Sequence, residues 1–129
     1  MKIKFQTAAA FKESYTSIKD ISMPFTLSFK LSRINKAIDE CIEFYRENYN
    51  SLLNNYAEKN EDGTFKMSED GSSILLKKDT IEKARQRFSE LDNSEFTIET
   101  IKIPFAEFET LVLPPDSLTG LLPFIEIEE

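Results

Sequence analysis

From Phe25 to Lys59 the chain runs without a single Pro or Gly. Within that stretch Leu27, Leu31, Ile34, Ile38, Cys41, Ile42, Tyr45, Tyr49, Leu52, Leu53 and Tyr56 follow one another at intervals of three and four, with one-residue doublets. Apolar residues at that period fall on one face of an α-helix, and the absence of helix breakers lets the face continue. The spacing predicts an amphipathic helix of about 30 residues, roughly 45 Å long at the usual rise. A rod with one oily stripe must cover that stripe. Asn48 and Asn55 sit near the seam, where a polar side chain weakens a strict coiled coil and pins its register.

The cover is expected from the segment that starts near Asp79. Ile81, Ala84, Phe88 and Leu91 repeat at three, four and three, and Asp92-Asn93-Ser94 ends the pattern. Asp79 followed by Glu82 reads as a capping box at the start of this second helix. Two helices with one stripe each bury both by folding back antiparallel. Between them, Asn54 to Thr80 is the most polar part of the chain and holds Gly63 and Gly71, each preceded by Asp. Asp-Gly pairs mark tight turns, because glycine tolerates the positive φ such turns demand. The stretch is long for a bare loop in a compact domain, so it is read as the reversal, with a small β-hairpin at its tip. Ile74, Leu75 and Leu76 are expected to form a short strand leading out of it.

The flanks are mixed. Lys2 to Phe5 alternates and predicts a first strand with Ile3 and Phe5 on one side. Thr7 is placed to cap a helix carrying Phe11, Tyr15 and Ile18 on one face, and Pro24 ends that segment. Residues 95–103 are β-branched and alternating, but the parity flips between Ile98 and Ile101, which predicts a bulge or turn near Thr100. Residues 104–115 read as extended or mixed. Asp116 to Leu122 predicts a short helix capped by Asp116, and the acidic end is expected to be exposed. The fold class is therefore α+β: a long antiparallel helical hairpin with a small β-hairpin or sheet and short terminal elements, in one domain over 1–129. The 129 residues, 40% of them hydrophobic and eleven of them Phe, suffice for a core without metal or disulfide support.

Composition removes several kinds of chemistry. The sequence has no histidine, which excludes Ser-His-Asp and Cys-His arrangements. Three glycines, at 63, 71 and 120, cannot build a phosphate-binding loop or a dinucleotide fingerprint. One cysteine, Cys41, cannot form a disulfide within the chain and reads as a core residue. Asn60 to Gly63 lacks the alternating oxygen ligands of a calcium loop. No cofactor or metal is expected, and no enzyme. The start lacks the apolar region of a secretory signal, and no apolar run has the length of a membrane span, so the protein is expected to be soluble and intracellular. The formal charge of −7 argues against direct nucleic-acid binding. A basic run, Lys77, Lys78, Lys83, Arg85 and Arg87, is interrupted by Asp79 and Glu82 and is read as a solvated face.

What remains is binding. Tyr45, Tyr49 and Tyr56 follow the stripe and serve either the core or a partner surface, since a tyrosine ring suits a half-wet contact. Leu118, Leu121, Leu122, Phe124 and Ile125 either close the core or form a docking tail, and Leu121, Leu122 and Phe124 are the partner-binding candidates among them. Glu40, Glu43 and Glu47 recur at i, i+3 and i+7, with Lys36 and Arg46 on the same surface, as a candidate acidic face.

The order of segments resembles small tailed-bacteriophage proteins, in which a Pro-containing lead-in, a long helix and an acidic turn are followed by a second helix, a β segment and a Leu-Pro-Phe-Ile-Glu type end. The matching pieces are Tyr56 to Lys59, Glu61 to Gly63, and Leu122 to Glu126. The resemblance covers the last hundred residues or so and carries no catalytic residues. It implies a phage setting, with expression in the host cytoplasm and incorporation into the virion as one outcome. The expected function is a non-enzymatic protein–protein interaction protein in virion assembly or as an accessory virion component. Its expected partner is a viral or host protein, or a second copy of the chain. The alternative is an inhibitor of a host defence system. That inhibitor would act through the acidic surface, or by sequestering a nucleotide messenger at the basic run.

Overall fold

A computed structural model describes residues 1–106 and 115–128. Strand β1 (Lys2–Ile3) leads into helix α1 (Phe5–Ile18), and helix α2 (Phe25–Tyr56) follows. Helix α3 (Ile81–Asp92), strands β2 (Phe96–Thr97) and β3 (Ile101–Pro104), helix α4 (Pro115–Leu121) and strand β4 (Ile125–Glu128) come later among the described residues. The class is α+β, with one long helix and two small two-stranded sheets. The chain gathers into two compact units, Met1–Glu43 with Glu95–Glu129, and Phe44–Ser94. Helix α2, 32 residues without a break, supplies side chains to both.

In the first unit, the core joins Phe11 and Ile18 of α1, Leu27, Leu31, Ile34 and Ile38 of α2, the β-segment residues Ile98, Ile101 and Ile103, and Leu121 and Phe124 near the C-terminus. Phe11 meets Phe124 edge to face at 4.9 Å between ring centres, and both are fully buried. Lys12 of α1 reaches α2, with Nζ 2.8 Å from Asp39 Oδ1 and 3.0 Å from Asn35 Oδ1. Strand β1 pairs antiparallel with β2, while β3 pairs in parallel with β4 in the register Ile101↔Ile125 and Ile103↔Ile127. The flip of parity at 98–100 is therefore a change of sheet: β2 and β3 belong to different ladders, and the residues between them lie in neither.

Two local expectations need correction. Helix α1 begins at Phe5, so Phe5 is helical and Thr7 lies inside the helix. The amides of Thr7 and Ala8 both donate to the Lys4 carbonyl, and that backbone start makes a side-chain cap dispensable. The Asp79–Glu82 capping box is not formed. Lys78–Thr80 takes one 3-10 turn first, so Asp79 sits within that turn and Thr80 precedes α3, with no side-chain cap bond. Glu126, Ile127 and Glu128 are exposed, as expected of the acidic end, and Ile125–Glu128 also pairs with β3 as a strand, which the sequence pattern does not predict. The side chain of Asp116, the expected cap of the short helix α4, lies outside the described residues.

In the second unit, the reversal is built from two turns of the same chemistry. Asn60-Glu61-Asp62-Gly63-Thr64 and Ser68-Glu69-Asp70-Gly71-Ser72 each close with the glycine amide donating to the first carbonyl, at 3.0 and 2.9 Å. In each, the Asp Oδ1 accepts from the amide and hydroxyl of the residue after glycine. Gly63 and Gly71 have φ of 87° and 71°. Antiparallel bridges Ala57↔Leu76, Lys59↔Phe65 and Met67↔Ile74 tie three short extended pieces together between α2 and α3. The hydroxyls of Ser68 and Ser72 with the Ser72 amide hold the Asp70 carboxyl down at about 2, and the Thr64 contacts lower Asp62 in the same way.

Candidate partner-binding surface

The helical hairpin positions the tyrosine stripe. Tyr45 and Tyr49 stack at 5.9 Å with 20° between their planes, and Tyr49 meets Phe88 of α3 edge to face at 5.3 Å. The Tyr45 hydroxyl donates to Asp92 Oδ1 at 2.6 Å. Moving up α2 from 45 to 49 thus moves down α3 from 92 to 88, which fixes the two helices as antiparallel. Burial, then the bond to the Asp92 carboxylate and its charge, push the Tyr45 phenol up to about 12. The buried hydrophobic residues of this unit are Leu52, Leu53, Ala57, Ala84 and Leu91.

Beside the tyrosine stripe the same two helices border a groove of about 320 Å³. Phe44, Asn48, Ser51 and Asn55 line it from α2, at i, i+4, i+7 and i+11, and Arg87 and Glu90 line it from α3. Phe44 is half exposed, whereas Leu52 and Leu91 at the groove are buried. Asn48 donates to the Phe44 carbonyl at 2.8 Å, and Arg87 pairs with Glu90 at 2.9 Å. The arrangement offers an aromatic anchor, amide and hydroxyl groups for hydrogen bonds, and an ion pair exposed enough to re-form around an incoming group.

The expected site residues divide. Tyr49 is 39% exposed and borders on solvent; Tyr45 and Tyr56 are half-buried, and Tyr56 reaches the groove. Leu121 and Phe124, candidates for docking, are buried at 1% and 0% exposure and belong to the first unit's core. Leu122, between them, is exposed because the 3-10 turn Leu122–Phe124 rotates it outward. Glu40, Glu43 and Glu47 are all exposed on α2. In the basic run, Arg85 pairs with Glu82 at 3.3 Å, and the Lys77 ammonium donates to the Asn55 carbonyl. Together with the Arg87–Glu90 pair, this ties three of the five cations locally, as a solvated face would. Cys41 is buried, and burial with the neighbouring Glu40 charge raises its thiol pKa.

The groove residues Phe44, Asn48, Ser51 and Asn55 were not grouped by the hydrophobic pattern, since only Phe44 is apolar. Phe44 is out of phase with the stripe, and a large aromatic in that position was the available signal. Among the described residues, no three His, Cys, Asp or Glu side chains are placed to hold a metal, and no helix is long and apolar enough to cross a membrane. Comparison of the chain with protein-family models, with curated proteins and with solved structures finds no match.

Proposed function

We propose that this chain is a non-enzymatic protein–protein interaction protein that engages its partner along the helical hairpin of the second unit. The observation that carries this reading is the half-exposed Phe44 at a groove whose lining combines amide, hydroxyl and paired charged groups with Tyr56 and the buried Leu52 and Leu91. An aromatic anchor at a polar rim is the composition of a recognition surface, and paired helices present such a groove to a partner segment. The resemblance at Tyr56–Lys59, Glu61–Gly63 and Leu122–Glu126 supports a phage setting, with a role in virion assembly or as an accessory virion component.

Photo-crosslinking tests it. Benzoyl-phenylalanine is placed at Asn48 in the groove and, separately, at Gln86, exposed on α3. The expected result, in infected cells, is an adduct of a virion protein or of a second copy of this chain from position 48, absent from position 86 and lost with Phe44→Ser. No adduct at 48 beyond that at 86, from a protein that light scattering shows to be monomeric, contradicts the reading.

A further inference from the structure

The first unit carries a second cleft, on different elements from the hairpin groove and independent of the function proposed for it. Its volume is about 230 Å³. One wall is a single face of α2, where Lys30, Arg33, Ile34 and Ala37 recur at i, i+3, i+4 and i+7. The other is the segment that carries the chain from β2 to β3, with Thr97, Ile98, Glu99 and Ile101. Ile34, Ile98 and Ile101 are buried and Ala37 is half-buried, so the floor is apolar. The mouth is charged. Arg33 Nη2 lies 3.2 Å from Glu99 Oε2, and Lys30 Nζ lies 3.2 Å from the Lys102 carbonyl oxygen.

These contacts are weak in kind. Arg33 and Glu99 are 62% and 80% exposed and touch through one nitrogen and one oxygen, and an exposed pair of that sort contributes only about 0–1 kcal/mol. A guanidinium has five N–H donors in a planar fork that matches a carboxylate through two parallel bonds. Lys30 likewise keeps two donors beyond the one aimed at Lys102. A carboxylate arriving at the mouth therefore offers Arg33 a better partner than Glu99 does, provided the rest of the molecule gains from the apolar floor.

We propose that this cleft binds a small apolar carboxylate, its acid group taken by Arg33 with help from Lys30 and its hydrocarbon part laid on Ile34, Ala37, Ile98 and Ile101. Glu99 acts as a tethered competitor for the same guanidinium. The shared chemistry, an apolar group ending in a carboxylate, occurs both in free short acids and at the C-terminus of a peptide that ends in an aliphatic residue. The cleft is below the usual size of a drug-like pocket, which suits a ligand of this scale.

Amide-detected NMR titration of the full chain reads the site directly, with 4-methylpentanoate and 4-methylpentanamide as matched probes. A short acetylated peptide ending in Leu, with a free or an amidated terminus, forms the second arm. The acid is expected to saturate shifts at residues 30–37 and 97–101, and the amide to bind at least about tenfold more weakly, as loss of a charge-assisted pair implies. Arg33→Gln is expected to remove that preference. Glu99→Gln, which removes the competitor, is expected to tighten the acid by about threefold. Both positions are exposed, and unchanged circular dichroism verifies that the variants fold. Tighter binding of the free-terminus peptide than of the short acid assigns the site to a chain end, and the reverse order assigns it to a free acid. Equal binding of acid and amide, shifts elsewhere in the chain, or an affinity indifferent to both substitutions overturns the proposal.

Discussion

At the scale of single residues, Gly120 shows most sharply how packing decides identity. Its amide donates to the buried Ser14 hydroxyl at 3.2 Å, and a Cβ at this position would overlap the Ala10 carbonyl oxygen of α1. Helix α4 can lie this close to α1 only where one residue lacks a side chain. Gly120→Ala, the mildest substitution available, is therefore expected to destabilise the fold by about 1–3 kcal/mol, the usual range for overpacking, as a lower midpoint in urea unfolding. A merely helix-favouring effect would raise the midpoint instead. Tyr45 gives a second residue-level outcome. Its phenol is raised to about 12 in the fold. A group raised in this way contributes its full stability below the ordinary phenol value near 10 and loses it as pH rises through the folded value. Ultraviolet titration of the folded protein should show a late-ionising component that is lost in Tyr45→Phe. The variant's stability should also fall less than the wild type's between about pH 10 and pH 12.

At the scale of elements, the sequence pattern was informative where a period runs long and silent where it does not. The threes and fours of Leu27 to Tyr56 fixed α2 nearly to its ends, because a buried stripe and the lack of Pro and Gly agree. The Asp-Gly pairs marked both turns, because positive φ demands it. The kinship of those turns went unread, although Asn-Glu-Asp-Gly-Thr and Ser-Glu-Asp-Gly-Ser spell it out: in each, the Asp carboxylate accepts from the hydroxyl residue that follows glycine. A Cβ at Gly63 or Gly71 would meet nothing within 4 Å, so the cost of alanine there is purely that of backbone conformation. Gly63→Ala and Gly71→Ala are each expected to cost about 1–2 kcal/mol, with the two effects nearly additive in thermal unfolding. Strand β4 was missed because its Ile-Glu alternation is too short to stand alone and gains its identity from pairing with β3. The capping box failed for a related reason. The motif was present, but a 3-10 turn satisfied the backbone first.

At the scale of the whole molecule, the chain uses one long helix as a source of side chains for two separate cores. The first unit has Phe11, Phe124 and a set of Ile and Leu residues. The second has only Leu52, Leu53, Ala57, Ala84 and Leu91 as buried hydrophobic residues, and Tyr49 meets Phe88 between its two helices. This division was not legible in the sequence, since the same apolar period runs through both halves of α2 and nothing in it marks where one core ends. The candidate site was legible in part. The tyrosine stripe was visible from its spacing, whereas Leu121 and Phe124 stayed open between core and docking tail until packing against α1 placed them inside. The two clefts were invisible, because each is made by residues that meet only after folding. The helical hairpin and the groove on it depend on α3 lying back along α2 in the register that sets 45 against 92 and 49 against 88. Nuclear Overhauser spectroscopy on the aromatic protons measures that register directly. Cross-peaks between the Tyr49 and Phe88 rings, with none between Tyr49 and Ile81, are the predicted result. Strong contacts from Tyr49 to Ile81, or none to any residue of α3, would contradict it.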